Sequence, residues 1–400
     1  MTLIFRMTKN NRYSLIPLIG VAERFDVDVV ILKDFEKIED IVKDIEKKDE
    51  IYVAFSFSSI DYEESEREIE KVKKLGLRII AGGPHPTAMP HHVLKMGVDY
   101  VFRGDGEKNF EDFLRGIRPK DGVFDGLTRR IDLNEYPNMA KKHDLYMPFE
   151  ITRGCPFRCA YCYTPRIAGE KPRHRRVDRI IEEAKAMLRS GRYVARFISP
   201  NAFGYGSTNG ITPDEDAIST LLKSLRDLGF KEIYFGTFPS DVRPESVNRR
   251  ILRIVRKYCV NESIVIGAQS GSERILKILK RGSTIEIVEN AINLINSEGF
   301  IAHVDFIFGF PFEEKEDIER TFEFIDRILS KYDVKIHAHT FMPLPGTELF
   351  KFGGGKLTPE VRRKLGYLSR IGKLDGYWHK QEQISERLEK LSKYLKSTNI

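Results

Sequence analysis

Three of the four cysteines of this 400-residue chain lie in one short stretch, at Cys155, Cys159 and Cys162. Three residues separate the first pair and two residues separate the second. Thiolates are soft donors that suit iron–sulfur clusters or zinc, and this spacing lets three of them converge on one centre. Because three thiolates leave one iron of a cluster without a protein ligand, the sequence predicts a cluster with an open position for chemistry.

Two other interpretations of the cysteine stretch stay open. One is a structural zinc site completed by a histidine such as His143 or His174, and the other is a set of core cysteines that bind no metal. Structural zinc sites usually take two ligand pairs, whereas the fourth cysteine, Cys259, lies far along the chain. The paired zinc pattern is therefore missing, and a disulfide framework has no support.

The cysteine motif resembles the signature of the radical S-adenosylmethionine enzymes, in which an aromatic residue, here Tyr161, precedes the last cysteine. The resemblance implies that the three thiolates hold a four-iron four-sulfur (4Fe-4S) cluster, and that the amino and carboxylate groups of S-adenosylmethionine chelate the fourth iron. It implies further that one electron cleaves this cofactor to a 5′-deoxyadenosyl radical, which abstracts a hydrogen atom. The cofactor then carries out the difficult step, while the protein positions the partners and excludes water.

Further motifs follow predicted strands, and barrel active sites lie at the carboxyl ends of strands. By the same resemblance, Ser199 and Asn201 occupy the position that binds the methionine amino group, although the family's Gly-Gly-Glu tripeptide is absent. Gln269 would contact the ribose hydroxyls, since an amide both donates and accepts, and Arg281 would hold the methionine carboxylate through its guanidinium. The full set of predicted S-adenosylmethionine contacts is Tyr161, Ser199, Asn201, Gln269, Ser270, Arg281 and Gly309.

Several of these motifs also have purely structural interpretations. Residues 199–203 are compatible with a plain turn at a strand end. Ser270 or Ser272 is compatible with a helix cap, and Arg281 with a solvated surface charge. The aromatic segment at residues 376–379 indicates either a cover for the barrel mouth and substrate pocket or the ordinary packing of a terminal helix.

A second resemblance covers about the first quarter of the chain. Residues 81–87 read Ala-Gly-Gly-Pro-His-Pro-Thr and residues 97–107 read Gly-Val-Asp-Tyr-Val-Phe-Arg-Gly-Asp-Gly-Glu. Both segments are similar to the cobalamin-binding domain that often precedes a radical S-adenosylmethionine core. The resemblance implies contacts with the nucleotide tail and corrin ring of cobalamin, where glycine permits close backbone approach. The residues that would line these contacts are Ser56, Ser58, Gly82 and Gly83.

One expected feature of cobalamin proteins is missing from this segment. The Asp-x-His-x-x-Gly loop that supplies a lower cobalt ligand in many of them is absent from residues 6–15, and no histidine precedes His85. Either cobalamin binds without a protein histidine, or the domain is a relic that binds nothing.

The pattern of apolar runs predicts an α/β protein. Residues 1–120 alternate apolar runs with amphipathic stretches, which favours a Rossmann-like parallel sheet with crossover helices, and residues 121–147, rich in turn formers, indicate a linker. Residues 148–350 hold six strand–helix units, the partial (β/α)6 TIM-like barrel expected of the family, and residues 351–400 a helical C-terminal extension. Strands are predicted at residues 27–32, 51–57, 77–81, 100–102, 148–152, 194–199, 232–236, 263–268, 302–308 and 335–341. Helices are predicted at residues 38–47, 62–75, 179–189, 218–228, 245–258, 285–297 and 383–395.

Composition and charge limit the class of protein. Apolar residues make up 41% of the chain, which is ample for buried cores. No run of about 18 apolar residues and no signal-peptide pattern occurs, so we expect a cytoplasmic protein without a transmembrane segment, where reducing conditions suit exposed thiolates. The net charge of +7 is compatible with an RNA or anionic-membrane partner, but we favour a solvated surface of ion pairs.

Together these features predict an enzyme that generates a 5′-deoxyadenosyl radical and methylates an unactivated carbon with methylcobalamin as the methyl donor. The alternatives are radical rearrangement, cyclisation or carbon–carbon bond formation without methyl transfer, and a first domain that no longer binds cobalamin. A non-catalytic cobalamin-binding or nucleic-acid-binding protein is a further alternative. The partners expected of the enzyme are a reductant such as ferredoxin or flavodoxin and a substrate that is RNA, lipid, peptide or small molecule.

Overall fold

The chain folds into two compact units. The computed structural model describes residues 1–43 and 50–397. The first unit comprises residues 1–147 and 166–168, and the second comprises residues 148–165 and 169–397. In the described part of the chain, no helix is long and apolar enough to cross a lipid bilayer.

A parallel sheet forms the centre of the first unit. Its six strands are β1 (Thr2–Arg6), β2 (Asp28–Leu32), β3 (Ile51–Ser56), β4 (Arg78–Gly82), β5 (Tyr100–Gly104) and β6 (Val123–Gly126). They are ordered β2-β1-β3-β4-β5-β6, and every neighbouring pair is parallel. Since the order reverses between β1 and β3, the carboxyl ends of these two strands flank the crevice in which open α/β sheets bind ligands.

Helices cover this sheet, because strands buried on both faces need apolar layers above and below them. They are α1 (Arg12–Ala22), α2 (Ile38–Lys43), α3 (Tyr62–Lys74), α4 (Pro84–Ala88), α5 (Pro90–Lys95) and α6 (Glu107–Leu114). α3 shows the cause of helix formation clearly: its apolar Ile69 and Val72 are buried, while three lysines lie in its last turn, where cations favour the helix dipole.

The Rossmann-like sheet predicted for the first unit is confirmed, and four of its strands lie within two residues of their predicted bounds. Two strands were missed. β1 stands before the first predicted strand, and β6 lies inside residues 121–147, which the turn formers indicated as a linker. β6 forms because hydrogen bonding to β5 outweighs weak local propensity. The helix predicted at residues 38–47 begins at Ile38, and its last four residues lie outside the described part of the chain.

The second unit is a partial barrel. Its strands are β7 (Phe149–Glu150), β8 (Thr152–Arg153), β9 (Arg173–His174), β10 (Val194–Ala195), β11 (Phe197–Ile198), β12 (Glu232–Ile233), β13 (Ser263–Gln269), β14 (Ile301–Phe308), β15 (Val334–Thr340) and β16 (Leu374–Asp375). β7 pairs with β11, β10 pairs with β12, and β13 to β16 form one parallel sheet. The Val265 amide donates to the Gly236 carbonyl over 2.9 Å, which joins the segment after β12 to β13.

The six barrel strands expected from the sequence are all present, in the expected order. β16 is an additional short strand beside β15, inside the region predicted to be a helical extension. Within the described residues, no strand pairing connects β7 to β16. The barrel is therefore open on that side, as the partial (β/α)6 fold requires.

Helices cover the outside of the barrel. They are α8 (Val177–Arg189), α9 (Glu215–Leu228), α10 (Arg249–Tyr258), α11 (Glu273–Ile278), α12 (Ile285–Ser297), α13 (Lys315–Lys331), α14 (Pro359–Arg370) and α15 (Trp378–Ser397). The short helix α7 (Thr164–Ala168) follows the cysteine stretch, and its last three residues belong to the first unit. α10 was predicted from residue 245 but begins at Arg249, because the Asn248 side chain accepts the Ile251 amide at 2.9 Å and caps the helix there. The limits predicted for the domains stay a prediction.

Candidate functional site

The cysteine loop begins directly after β8, at the carboxyl end of the first barrel strand. Gly154 has a φ of +95°, and a side chain there would collide with the Lys171 carbonyl. The Cys155 amide donates to the Gly169 carbonyl over 3.0 Å, and the Ala160 amide donates to the Leu279 carbonyl over 2.9 Å. The loop is thus fixed at two points before any cofactor binds.

All three cysteines of the motif line one cavity at the barrel mouth, which holds about 680 Å³ of empty space including its open side. Barrel active sites are built at this face. The polar and titratable residues that line it are Cys155, Cys159, Tyr161, Cys162, Thr164, Asp241, Arg243, Gln269, Arg281 and Asp305. Residues from four different strand ends therefore meet the cysteine loop.

The thiols are buried, and this sets their protonation. Burial raises the pKa of Cys155 to about 11 and also raises the pKa of Cys162. Ligands of an iron–sulfur cluster must be thiolates, so cluster binding has to release protons and needs nearby positive charge. Arg243 and Arg281 supply it: their terminal nitrogens lie 3.6 Å and 3.9 Å from the Cys159 sulfur. The donor set therefore fits an anionic cluster.

The histidines that could have completed a zinc site are engaged elsewhere. His143 Nδ1 lies 2.9 Å from Glu23 Oε1, and the two ring nitrogens of His174 contact the Thr152 hydroxyl and the Ser207 carbonyl. Across residues 1–43 and 50–397, no three His, Cys, Asp or Glu side chains are grouped to hold a single metal ion. A four-iron cluster does not need such a grouping, because each thiolate binds a different iron.

Arg281 is not the solvated surface charge that one interpretation allowed. It is 5% exposed, and its terminal nitrogen donates to the Gly267 carbonyl over 2.7 Å. Burial opposes its charge, but the nearby Tyr161 and Cys159 keep its pKa raised. Its Nε has no hydrogen-bond partner among the described residues. A buried guanidinium with a donor to spare suits a carboxylate ligand.

Gln269 adopts a backbone conformation that few residues other than glycine take. Its φ is +74°, at a bulge where the register of β13 shifts between Gly267 and Gln269. Such conformations cost on the order of 1–3 kcal/mol and cluster at functional sites. The strained backbone delivers the Gln269 side chain to the cavity, where its amide can donate and accept.

Sequence reasoning missed Arg243, which lies after the third barrel strand. It is 5% exposed, and its guanidinium lies over the Phe157 ring at 3.3 Å from the centroid. One terminal nitrogen lies 2.7 Å from Glu245 Oε1 and 2.5 Å from the Arg281 carbonyl. Its position shortly after a predicted strand, two residues before the acidic Glu245, is the sequence signal that could have indicated it.

Two carboxyl groups of the cavity were also missed. Burial raises the pKa of Asp241 to about 6, and its Oδ1 has no hydrogen-bond partner in the described part of the chain. Burial, followed by the charge of Asp241, raises the pKa of Asp305 well above its usual range. These carboxyls give the cavity acceptors for a cationic ligand.

Ser199 and Asn201 do not line the cavity, whereas Pro200 between them does. The Ser199 hydroxyl donates to the Asn201 carbonyl over 2.9 Å, and the Asn201 amide nitrogen donates to the Gly210 carbonyl and the Ser246 hydroxyl. Asn201 Oδ1 accepts the Arg243 amide at 3.1 Å. Both side chains thus organise neighbouring loops, and their direct contact with S-adenosylmethionine stays a prediction.

Of the remaining predicted contacts, one lines the cavity and the others have structural roles. Tyr161 lines the cavity, whereas the buried Ser270 hydroxyl pairs with the Thr321 hydroxyl at 3.3 Å. The helix α11 is capped by Ser272, as one structural interpretation proposed. Gly309, with a φ of +81°, approaches the backbone of Lys356 so closely that a side chain would collide with it. The roles of Ser270 and Gly309 toward the cofactor stay predictions.

The crevice of the first unit contains one of the four predicted cobalamin contacts. Ser56 lines a space of about 670 Å³ between the carboxyl ends of β1 and β3. A side chain at Gly83, whose φ is +97°, would place its Cβ 2.8 Å from the Ser56 hydroxyl, and the Gly82 carbonyl accepts the Phe57 amide at 3.2 Å. The Ser58 hydroxyl donates to Asp61, which also lines the crevice. The glycines thus allow the segments after β3 and β4 to pack closely beside the crevice.

His85 is not placed to serve as a lower cobalt ligand. It is fully buried, with Nδ1 at 2.8 Å from the Ser59 hydroxyl and Nε2 at 3.1 Å from His92. Burial, followed by the charge of His92, lowers the pKa of His85 to about 3. The ring is therefore a neutral core group of the first unit.

Comparisons with known proteins agree with this geometry. Residues 149–325 match the model of the radical SAM superfamily, and residues 17–114 match the B12 binding domain. An uncharacterized methyltransferase of Pyrococcus horikoshii is 25% identical over 415 residues, covering 94% of this chain and 86% of that protein. The tRNA-2-methylthio-N(6)-dimethylallyladenosine synthase of Thermosipho melanesiensis is 25% identical over 360 residues, covering 87% and 75%.

Among solved structures, the radical S-adenosylmethionine methyltransferase TsrM of Kitasatospora setae, with cobalamin and a 4Fe-4S cluster bound, has a TM-score of 0.67 at 14% identity. The match covers 87% of this chain and 76% of that one, and at this identity it shows the fold alone. The B12 match lies in the first unit, and the radical SAM match lies almost entirely in the second. The chain therefore carries a B12-binding domain and a radical S-adenosylmethionine domain, with cobalamin, a 4Fe-4S cluster and S-adenosylmethionine as their cofactors.

Proposed function

We propose that the chain is a cobalamin-dependent methyltransferase that methylates an unactivated carbon. The observation that carries the proposal is the joint presence of a B12-binding domain and a cavity in which three thiols meet two buried guanidiniums. When bound, the cluster and S-adenosylmethionine supply the electron and the carbon radical, and cobalamin supplies the methyl group. The protein's part is to bind, orient and shield these groups.

The side chains of the second unit divide this work by charge. Cys155, Cys159 and Cys162 would hold the cluster, and the spare donor of Arg281 would bind the methionine carboxylate. Gln269 would hold the ribose hydroxyls through its amide. Arg243, beside Cys159, would balance the negative charge of the thiolates. We assign no catalytic acid or base to the reaction.

In the first unit, cobalamin would be held by close backbone approach and polar side chains. Ser56, Ser58, Gly82 and Gly83 remain the proposed contacts, because they border or shape the crevice after β3 and β4. With both ring nitrogens of His85 engaged, we propose that cobalamin would be held without a ligand from His85.

Methylthio transfer is a second candidate, which the similarity to the Thermosipho tRNA-2-methylthio-N(6)-dimethylallyladenosine synthase favours. That chemistry needs a sulfur donor as well as a methyl donor. Outside the motif, this chain has a single cysteine, Cys259, which is too few to bind another cluster through three thiolates of its own. We therefore rank methyl transfer first.

The experiment uses the full chain, reconstituted without oxygen and supplied with a reductant, hydroxocobalamin and S-adenosylmethionine labelled in its methyl group, so that any methyl group that cobalamin transfers carries the label. RNA, lipid, peptide and small-molecule fractions serve as acceptors. We expect label in one fraction without added sulfur, and none with Cys159→Ala. An acceptor that reacts and consumes S-adenosylmethionine, yet gains no methyl, would overturn the proposal and favour rearrangement or carbon–carbon bond formation.

Two further points belong to the same proposal. Radical S-adenosylmethionine enzymes need an electron donor, and we propose ferredoxin or flavodoxin for that role. We also propose a cytoplasmic location, because reducing conditions protect a cluster held by thiolates.

A further inference from the structure

The inner face of the barrel carries polar side chains where barrels usually carry branched apolar ones. Asp305 on β14 lines the cofactor cavity, so the positions that share its face point to the same side. On β14 and β15 these positions are His303, Ile307, Lys335, His337 and His339, and all are partly exposed. The alternate positions, such as Val304 and Ile336, are fully buried. This face therefore borders an open chamber and not a packed core.

A carboxylate fixes the tautomer of His337. His337 Nδ1 lies 3.1 Å from Asp375 Oδ1, and the other oxygen of Asp375 lies 2.9 Å from the Lys335 ammonium. An acceptor beside Nδ1 keeps the proton on that nitrogen. With its proton on Nδ1, the ring presents the lone pair of Nε2, and this nitrogen has no hydrogen-bond partner among residues 1–43 and 50–397.

A backbone amide fixes the opposite tautomer of His339. The Thr340 amide donates to Gln381 Oε1 over 3.0 Å, which leaves Gln381 Nε2 to donate to His339 Nδ1 over 3.1 Å. His339 Nδ1 is then an acceptor, so the ring proton lies on Nε2. Burial, the largest cause, lowers the pKa of His339 to about 4. His339 is thus a neutral donor at physiological pH.

The two rings present this acceptor and this donor side by side. Their centroids lie 4.6 Å apart with an interplanar angle of 19°. A ligand edge with a donor next to an acceptor matches such a pair. A carboxylate ligand would be repelled by Asp375, which lies against His337. A primary carboxamide or a ring lactam carries N–H and C=O on one edge and meets both requirements.

We propose that His337 and His339 form a substrate subsite that binds the N–H and C=O of a primary carboxamide or ring lactam. His337 is the direct neighbour of Asp305 across the β14–β15 pair, which places the subsite beside the cofactor cavity. The subsite deepens the proposed methyl transfer and rests on it, because it names the chemical class of the substrate. Gln381 and Asp375 act as positioning residues for the two rings.

The test measures nitrogen chemical shifts in the full-length, reconstituted protein with ¹⁵N-labelled histidine, without S-adenosylmethionine or reductant. The free protein should show His337 protonated at Nδ1 and His339 at Nε2. The probes are 2-pyrrolidinone, acetamide and N-methyl-2-pyrrolidinone, whose methyl group removes the donor. We expect 2-pyrrolidinone, acetamide or both to shift the Nε2 signals of both histidines. A response to 2-pyrrolidinone indicates a lactam as the ligand, and a response to acetamide indicates a primary carboxamide.

Matched variants make the test specific. His339→Phe keeps an aromatic ring but removes the donor, and should weaken probe binding about tenfold, the effect of losing one hydrogen bond. Gln381→Leu should also weaken probe binding, and it should leave His339 as a mixture of both tautomers. This second variant keeps the test valid if His339→Phe misfolds. The control is His91→Phe, at an exposed position in the first unit, which should change neither probe binding nor the tautomers.

Three results would overturn the subsite. They are a free His339 protonated at Nδ1, a response to N-methyl-2-pyrrolidinone equal to that of 2-pyrrolidinone, or no response to any probe. Because the measurement involves no methyl transfer, its failure leaves the proposed function standing. Failure of methyl transfer, in turn, leaves the tautomers and probe binding unchanged.

Discussion

The charge of Arg243 next to the cluster cysteines gives the sharpest prediction. Arg243→Met removes a buried guanidinium that lies 3.6 Å from the Cys159 sulfur while keeping much of the side-chain volume. Because a positive charge stabilises the added electron of a reduced cluster, we expect the variant to have a lower reduction potential. The Glu245 carboxylate, left without its partner at 2.7 Å, should act in the same direction.

The size of the effect follows from the distance. Unit charges about 4 Å apart interact by roughly 4 kcal/mol at an effective dielectric constant near 20. The added electron is spread over the cluster and lies further from the guanidinium than the sulfur does, so about half of this, roughly 2 kcal/mol, is a reasonable expectation. With about 2.3 kcal/mol per 100 mV, the potential should fall by roughly 90 mV.

The assay is a redox titration of the reconstituted protein followed by electron paramagnetic resonance, without S-adenosylmethionine. Arg243→Lys keeps the charge and should shift the potential far less. Arg250→Met, which removes an exposed arginine paired with Glu215 at 3.6 Å, is the control. An Arg243→Met protein with full iron content and an unchanged potential would refute the electrostatic role assigned to Arg243.

Three further predictions concern ligand affinity and stability. Asp241→Asn removes a buried carboxyl that faces the cationic ligand, so it should weaken S-adenosylmethionine binding about tenfold or more. Equilibrium dialysis measures this affinity, and the iron content should stay constant. An unchanged affinity would exclude Asp241 from the site. Gln269→Gly should stabilise the fold by about 1 kcal/mol, because glycine relieves the strain of the positive φ. The same variant should bind the cofactor more weakly. A lower melting temperature of the variant would contradict this account of the bulge. The pKa of His85 is about 3 in the folded protein and about 6.5 in the unfolded chain, so unfolding takes up a proton between these pH values. The contribution of His85 to stability should therefore be complete above about pH 6.5 and should fall as the pH drops toward 3. His85→Asn should flatten this dependence in thermal melts, and a melting temperature with the same pH slope in both proteins would refute it.

Some of the candidate site could be predicted from the sequence because its chemistry is local. The three cysteines and Tyr161 lie within one loop, where spacing indicated a metal centre, and the family resemblance of the segment around Gln269 and Arg281 indicated these two residues. The structure brings all of these to one cavity. Ser199 and Asn201 were predicted at a correct strand end, but their side-chain roles depend on hydrogen bonds to residues far away in the sequence.

Arg243 and Asp241 were missed for a physical reason. The strand before them, β12, has two residues, and its continuation pairs with β13 through an isolated bridge between Val242 and Ile266. A strand interrupted in this way has no periodic apolar pattern that would mark its carboxyl end. The burial of Arg243 and its contact with Cys159 are therefore visible only in three dimensions.

The fold shows the same division between local and non-local information. Long apolar or amphipathic segments such as β13, β14 and α12 were predicted within about one residue, because burial imposes their periodicity. β6 and β16 were missed, since each is a short edge strand held by pairing with its neighbour and not by its own composition.

The central claim is that one chain holds both the cluster and cobalamin for methyl transfer. The most direct test reconstitutes the full protein without oxygen, adds hydroxocobalamin, removes unbound ligand, and measures iron and cobalt per chain together with 5′-deoxyadenosine formation. The account predicts that cluster and cobalamin are both retained in stoichiometric amounts, and that Cys159→Ala abolishes 5′-deoxyadenosine formation but leaves cobalt bound. Turnover of S-adenosylmethionine by a protein that retains no cobalt would contradict it.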